Sequence, residues 1–167
     1  MQNRGITLAM AAVLAIVVAC SSTTDPVSKI VTFKATMNGA GEVPANATTG
    51  AGTFTATLDT STNIFTYDVT FTGLTSNTTA GHIHGPAATT ASSGTTINFV
   101  SLAGATFSVG ATSGTGHGAT TLNAATQITA TISGDSLKKL LFAGLTYVNI
   151  HTASNPGGEI RGQISKQ

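Results

Sequence analysis

Strict alternation of apolar and polar side chains begins at Val31. Val31, Phe33, Ala35 and Met37 fall on one side of an extended chain, with Thr32, Lys34 and Thr36 on the other. The pattern recurs as Phe54, Ala56 and Leu58 against Thr53, Thr55 and Thr57, and again as Tyr67, Val69 and Phe71 against Thr66, Asp68, Thr70 and Thr72. Successive side chains of a strand point to opposite faces, so a period of two with threonine on the wet side predicts half-buried antiparallel strands. The polar run Asp59–Asn63 between the second and third reads as a hairpin connection. Further strands are predicted over Ala80–His84, Thr96–Leu102, Thr106–Val109, Gln127–Ile132, Leu145–His151 and Glu159–Ile164. Only one segment has helical period. Ser133-Gly134-Asp135-Ser136 offers capping oxygens, Leu137, Leu140 and Leu141 follow at i, i+3 and i+4, and Gly144 ends the run. Ser108–Ala125 is rich in Gly, Ser, Thr and Ala, weakly patterned, and reads as a long mobile connection. Eight or nine short strands with one short helix predict an all-β fold, a Greek-key antiparallel β-sandwich or flattened barrel.

Composition narrows the functional classes. The chain has 167 residues, of which 8% are charged and 41% hydrophobic, with a formal net charge of +1. That length suggests one domain, and the apolar content is too high for disorder. There is no basic patch to neutralise phosphates, which excludes nucleic acid as a partner. Residues 1–19 read as a lipoprotein signal peptide: Arg4 gives a positive start, and Ile6–Val18 is an uncharged apolar run too short to span a bilayer. The run ends in Val17-Val18-Ala19-Cys20, which resembles the bacterial lipobox, and Cys20 is the one cysteine of the chain. Cys20 is thus the expected lipidation site, with ordinary secretory cleavage and an incidental cysteine as the alternative. Residues 20–29 form the expected lipidated tether and residues 30–167 the folded domain. The expected location is the cell envelope, anchored through the N-terminal lipid; Ser21 after the cysteine resembles outer-membrane sorting if the envelope is Gram-negative.

Candidate chemistry rests on histidine. No G-x-S-x-G elbow, no closely spaced carboxylate pair and no phosphate-binding loop is present. In a strand, His82 and His84 share one face while Ile83 points to the other. With Val148 and Ile150 directed inward, Tyr147, Asn149 and His151 face outward. His82, His84 and His151 are therefore candidate ligands on one outer face, and three imidazoles with an open position suit one copper or zinc ion. The alternative is three histidines that brace loops by hydrogen bonds. His117, in the Gly-rich connection, is either a fourth ligand or an exposed loop residue.

Gly41-Glu42-Val43-Pro44, then Ala80-Gly81-His82-Ile83-His84-Gly85-Pro86, then Tyr147–Thr152 followed by Asn155-Pro156-Gly157-Gly158-Glu159-Ile160-Arg161-Gly162-Gln163, resemble the signature of the CHRD domain, named from chordin. The resemblance covers about residues 30–166 and implies an extracytoplasmic β-sandwich; it says little about activity. A weaker likeness, Thr72-Gly73-Leu74-Thr75 before the H-x-H strand and a later strand with one histidine, is to copper-zinc superoxide dismutase. It implies copper-site positions at His82, His84 and His151, while the cysteine pair, zinc loop and bridging histidine of that enzyme have no counterparts here. Glu42, Glu159 and Arg161 are the remaining polar residues of the motif, read as structural, with a Glu–Arg pair clamping the last hairpin. Three functions stay open: an envelope binding module with a protein or glycan partner, a mononuclear copper dismutase-like enzyme, and a purely structural envelope domain.

Overall fold

The computed structural model describes residues 29–126 and 128–167. Cys20, the expected signal segment and nearly all of the expected tether lie outside the described residues, as does Gln127. The predicted all-β class holds. Among the described residues, one antiparallel sheet is built from β1 (Ile30–Asn38), β2 (Ala51–Asp59), β3 (Ile64–Thr72), β4 (Thr78–His84), β5 (Thr95–Asn98), β6 (Thr106–Phe107), β7 (Gly114–Thr121), β8 (Tyr147–Thr152), β9 (Ile160–Gln163) and β10 (Ser165–Lys166), with a single α-helix, α1 (Gly134–Phe142). The strand order is β5-β4-β8-β9-β1-β2-β3-β7-β6, with β10 also paired to β1. The sheet curls on itself as a half-barrel, and its two halves share one core.

The alternation seen in the sequence is the alternation of burial. Phe33, Ala35 and Met37 of β1, Phe54, Ala56 and Leu58 of β2, and Phe65, Tyr67, Val69 and Phe71 of β3 face inward and are buried. From the other half come Ile83, Val148, Ile150 and Ile160. Tyr67 stacks on Phe99 at 4.6 Å between centroids, joining the β3 side to the segment after β5. Ser133 caps α1 by accepting from the Ser136 N–H, and Leu137 and Leu141 close one end of the core.

Three expectations are corrected. The segment Ser108–Ala125 is not a mobile connection, because it contains β7, paired with β3 from Ile64↔Thr121 to Phe71↔Gly114. Its inward positions are Gly114, Gly116 and Gly118, so no apolar side chain marks the strand. The space over them is filled from the neighbours: a Cβ on Gly118 would lie 2.5 Å from the Tyr67 hydroxyl, and one on Gly116 2.8 Å from Phe107 and Val69. Second, residues 128–132 form a turn and no strand. The Ile128 and Thr129 amides both donate to the Ile132 carbonyl, folding Ile128 and Ile132 back onto the core. Third, the strand expected over Thr96–Leu102 stops at Asn98, whose side chain accepts from the Val100 and Ser101 amides and turns the chain.

Candidate metal centre

β4 and β8 lie side by side with Ala80 opposite His151, His82 opposite Asn149 and His84 opposite Tyr147. Ile83, Val148 and Ile150 point into the core and are fully buried. By the strand period, His82, His84, Tyr147, Asn149 and His151 then share the opposite face, with His151 diagonal to His82. The structure brings His82, His84 and His151 together: one ring nitrogen from each lies within 4.8 Å of the other two. Nitrogens around one ion at ~2.0–2.1 Å sit ~3.3 Å apart. The His82 Nδ1 to His151 Nε2 separation of 3.0 Å is already near that value, and the separations to His84, within 4.8 Å, close on binding.

Two of the rings are oriented by main-chain oxygens. His84 Nδ1 donates to the Ser93 carbonyl at 2.9 Å, and His151 Nδ1 donates to the Pro156 carbonyl at 2.9 Å. A carbonyl only accepts, so both rings carry the proton on Nδ1 and leave Nε2 unprotonated. His151 Nε2 accepts from His82 Nδ1, while His84 Nε2 is buried and has no hydrogen-bond partner. A ring proton held by a backbone carbonyl is the arrangement that fixes tautomer and ring angle in metal-binding histidines. To present Nδ1 to an ion, His82 moves its proton to Nε2.

The rings are also kept neutral. Burial, followed by the neighbouring His151 and His84, lowers His82 to about 4. Burial lowers His84, partly offset by the Ser93 carbonyl, and lowers His151, partly offset by the Pro156 carbonyl. Neutral imidazole is the ligating form, so no proton has to be expelled near neutral pH.

The outer face is less open than the strand period suggests. Tyr147 and Asn149 are buried, and so is His84; only His82 and His151 are half-buried. The loop from Gly85 to Gly94 covers them. Ser93 exchanges hydrogen bonds of 3.3 Å with the Tyr147 hydroxyl, Arg161 Nη2 donates to the Ala88 and Ala91 carbonyls at 3.2 and 2.8 Å, and Gln163 donates to the Ala87 carbonyl. Tyr147 lies parallel to His84 at 4.8 Å and 3°, and the Arg161 guanidinium carbon stands 3.5 Å from the Tyr147 centroid. Since β8 runs between β4 and β9, the order is His84, Tyr147, Arg161. The phenol ring thus separates the cation from the imidazole.

Neither Glu42 nor Glu159 forms the expected Glu–Arg clamp with Arg161 as an ion pair. Among the described residues the ion pairs are His117–Asp68 and Lys138–Asp135. Glu159 is fully buried and ties loops instead: Thr48, Thr75, Thr152 and Asn155 all donate to its carboxylate, and the Thr75 amide adds a bond of 2.7 Å. Burial pushes its pKa up, but these donors outweigh it and hold the group at about 2. Glu42 has the opposite environment. Burial raises it to about 7 against the charge of Arg161 and the Asn149 amide, and its Oε1 has no hydrogen-bond partner. Gly158, at φ 132°, lets the backbone pass here, since a Cβ would lie 2.5 Å from that oxygen. His117 is not part of the cluster: it sits on exposed β7 and pairs with Asp68 at 2.8 Å. Tyr147, Asn149, Ser93 and Pro156 carry supporting roles the sequence did not assign. For Ser93 and Pro156 the working atom is a backbone carbonyl, which no side-chain pattern can signal.

Fold and site together define an all-β domain with three histidines converging on one sheet face. The CHRD domain profile matches residues 33–164, nearly the whole described domain, and the chain belongs to that family. No curated protein and no solved structure matches the chain.

Proposed function

We propose that this chain is a lipid-anchored CHRD binding module of the cell envelope that holds one copper or zinc ion through His82, His84 and His151. The observation that carries the reading is the convergence of three ring nitrogens within 4.8 Å of one another, with His84 Nδ1 fixed by Ser93 and its buried Nε2 making no close hydrogen bond. A buried polar atom left unsatisfied costs about 1–3 kcal/mol, and a metal ion within reach of two further imidazole nitrogens removes that cost. With three protein ligands the ion keeps a position for water or an incoming group. The anchor is the lipid on Cys20, in the outer membrane if the envelope is Gram-negative. The partner is a protein or glycan facing the threonine-rich sheet.

The test is metal titration of the chain from Ser21 onward, which carries every described element. One equivalent of copper or zinc is expected, with His82→Ala, His84→Ala and His151→Ala each weakening it at least about a hundredfold. No stoichiometric binding by the parent would sink the metal reading. Mass measurement of the membrane-extracted protein checks the anchor: the mature N-terminus is expected at Cys20 carrying acyl chains.

A further inference from the structure

The end of the domain where the chain enters β1 has a different surface from the histidine end. Ile30 and Ile64 are 49% and 46% exposed, and both stand beside Asp59, forming one row across β1, β2 and β3. Phe142, at the last turn of α1, is 41% exposed although it packs edge-on against Phe33 at 5.7 Å. A shallow depression of about 290 Å³ beside Phe142 is lined by Thr60, Asn63, Lys138, Lys139 and Phe142. Lys166 Nζ stands 5.3 Å from the Phe142 ring.

The sequence shows no basic patch, but the fold gathers lysines distant in the chain at this end. The five lysines of the chain are Lys29, Lys34, Lys138, Lys139 and Lys166. Lys29 precedes Ile30, Lys138 and Lys139 lie on α1, Lys166 pairs with Phe33, and Lys34 is the next outward residue but one along β1. All but Lys138 are exposed. Among the described residues two carboxylates accompany them: Asp135 pairs with Lys138, and Asp59 is held by Ser61. The carboxyls of Glu42 and Glu159 belong to the other end, with Arg161 opposite Asn38 at the far end of β1. Ile30 and Asn38 are eight residues apart on one strand, or about 26 Å at ~3.3 Å per residue.

We propose that the end formed by Ile30, Ile64 and Phe142, ringed by Lys29, Lys139 and Lys166, rests on an anionic lipid leaflet, with the three-histidine face directed away from the bilayer. The orientation rests on the Cys20 anchor proposed above; the surface itself does not. Two features select a leaflet as occupant. The polypeptide between Cys20 and Lys29 can reach at most about 30 Å, and it joins the domain at this end, where the Thr60 amide and hydroxyl fasten the Lys29 carbonyl at 2.8 and 2.9 Å. Separated apolar side chains ringed by ammonium groups also match an interface in which acyl chains lie beneath anionic headgroups. Each lysine near such a surface contributes about 1 kcal/mol, and a short tether raises the local concentration to about millimolar, so weak contacts suffice.

Vesicle flotation of the chain from Ser21, free of both the apolar leader and the cysteine, tests the surface alone. Binding to phosphatidylglycerol-containing vesicles is expected to exceed binding to phosphatidylcholine vesicles at least about tenfold and to fall with salt. The variant Lys29→Glu/Lys139→Glu/Lys166→Glu, checked for an unchanged circular dichroism spectrum, is expected to lose that preference. Thr36→Glu/Thr53→Glu, on the sheet face nearer the far end of β1, is expected to keep more of it. Equal binding to both vesicles, or a triple variant that binds like the parent, overturns the proposal. In the lipidated protein, a fluorophore at Ile64→Cys is expected to be quenched by spin-labelled lipid. A lipidated protein without that quenching overturns the proposal and leaves the anchor standing. Anionic preference without acylation of Cys20 removes the anchor and leaves the surface.

Discussion

Glu42 and the histidines move stability in opposite directions with pH. Glu42 ionises at 4.5 when unfolded and about 7 when folded, so its contribution is full below pH 4.5 and is lost as pH rises through about 7. His82 goes from 6.5 unfolded to about 4 folded, so stability is lost as pH falls from 6.5 through about 4. Glu159, held at about 2, adds a further loss only below 4.5. Glu42→Gln is expected to gain on the parent as pH rises, by about 1–3 kcal/mol at pH 8, and to differ little near pH 5. Urea midpoints at the two pH values check this; a gap that does not change with pH would show that Glu42 is ionised throughout. The sequence marked Glu42, Glu159 and Arg161 as structural residues, and each is buried. Their division of labour was not legible, because Glu159 is satisfied by threonines far apart in the chain and Arg161 by loop carbonyls and the face of Tyr147.

Among the elements, β1 to β3 were plain because each buries one face and wets the other, which writes itself into the chain as alternation. β7 was hidden for a packing reason. Its partner β3 carries Tyr67, Val69 and Phe71 on the inward face, and their volume takes the space that β7 side chains would fill, so β7 presents glycine there. Gly118→Val is therefore expected to destabilise the fold by about 1–3 kcal/mol through overpacking against Tyr67, although valine favours strands. A thermal midpoint equal to or above that of the parent would contradict the packing seen here. The segment 128–132 erred in the other direction: Ile128, Thr129 and Ile132 look like strand residues, yet a turn brings both isoleucines to one side of the core.

At the scale of the whole molecule, metal and fold are linked. A ligand that binds only the native state stabilises it by about 2.7 kcal/mol at a hundred times its Kd, so saturating copper or zinc is expected to raise Tm by about 5–10 °C. A chelator should reverse the rise and His151→Ala should abolish it; calorimetry of the parent and that variant is the check. What the sequence determined by itself was the all-β class, the pairing of His82 with His84 on one face, and the family, because side-chain period and short motifs are local properties. Tertiary structure alone decided that β8 lies beside β4 and brings His151 against His82 and His84, that Ser93 and Pro156 turn the rings, and that the Gly85–Gly94 loop buries the face expected to be wet. Each of those depends on contacts between residues distant in the chain, and two depend on backbone oxygens, which every residue has and no sequence pattern distinguishes.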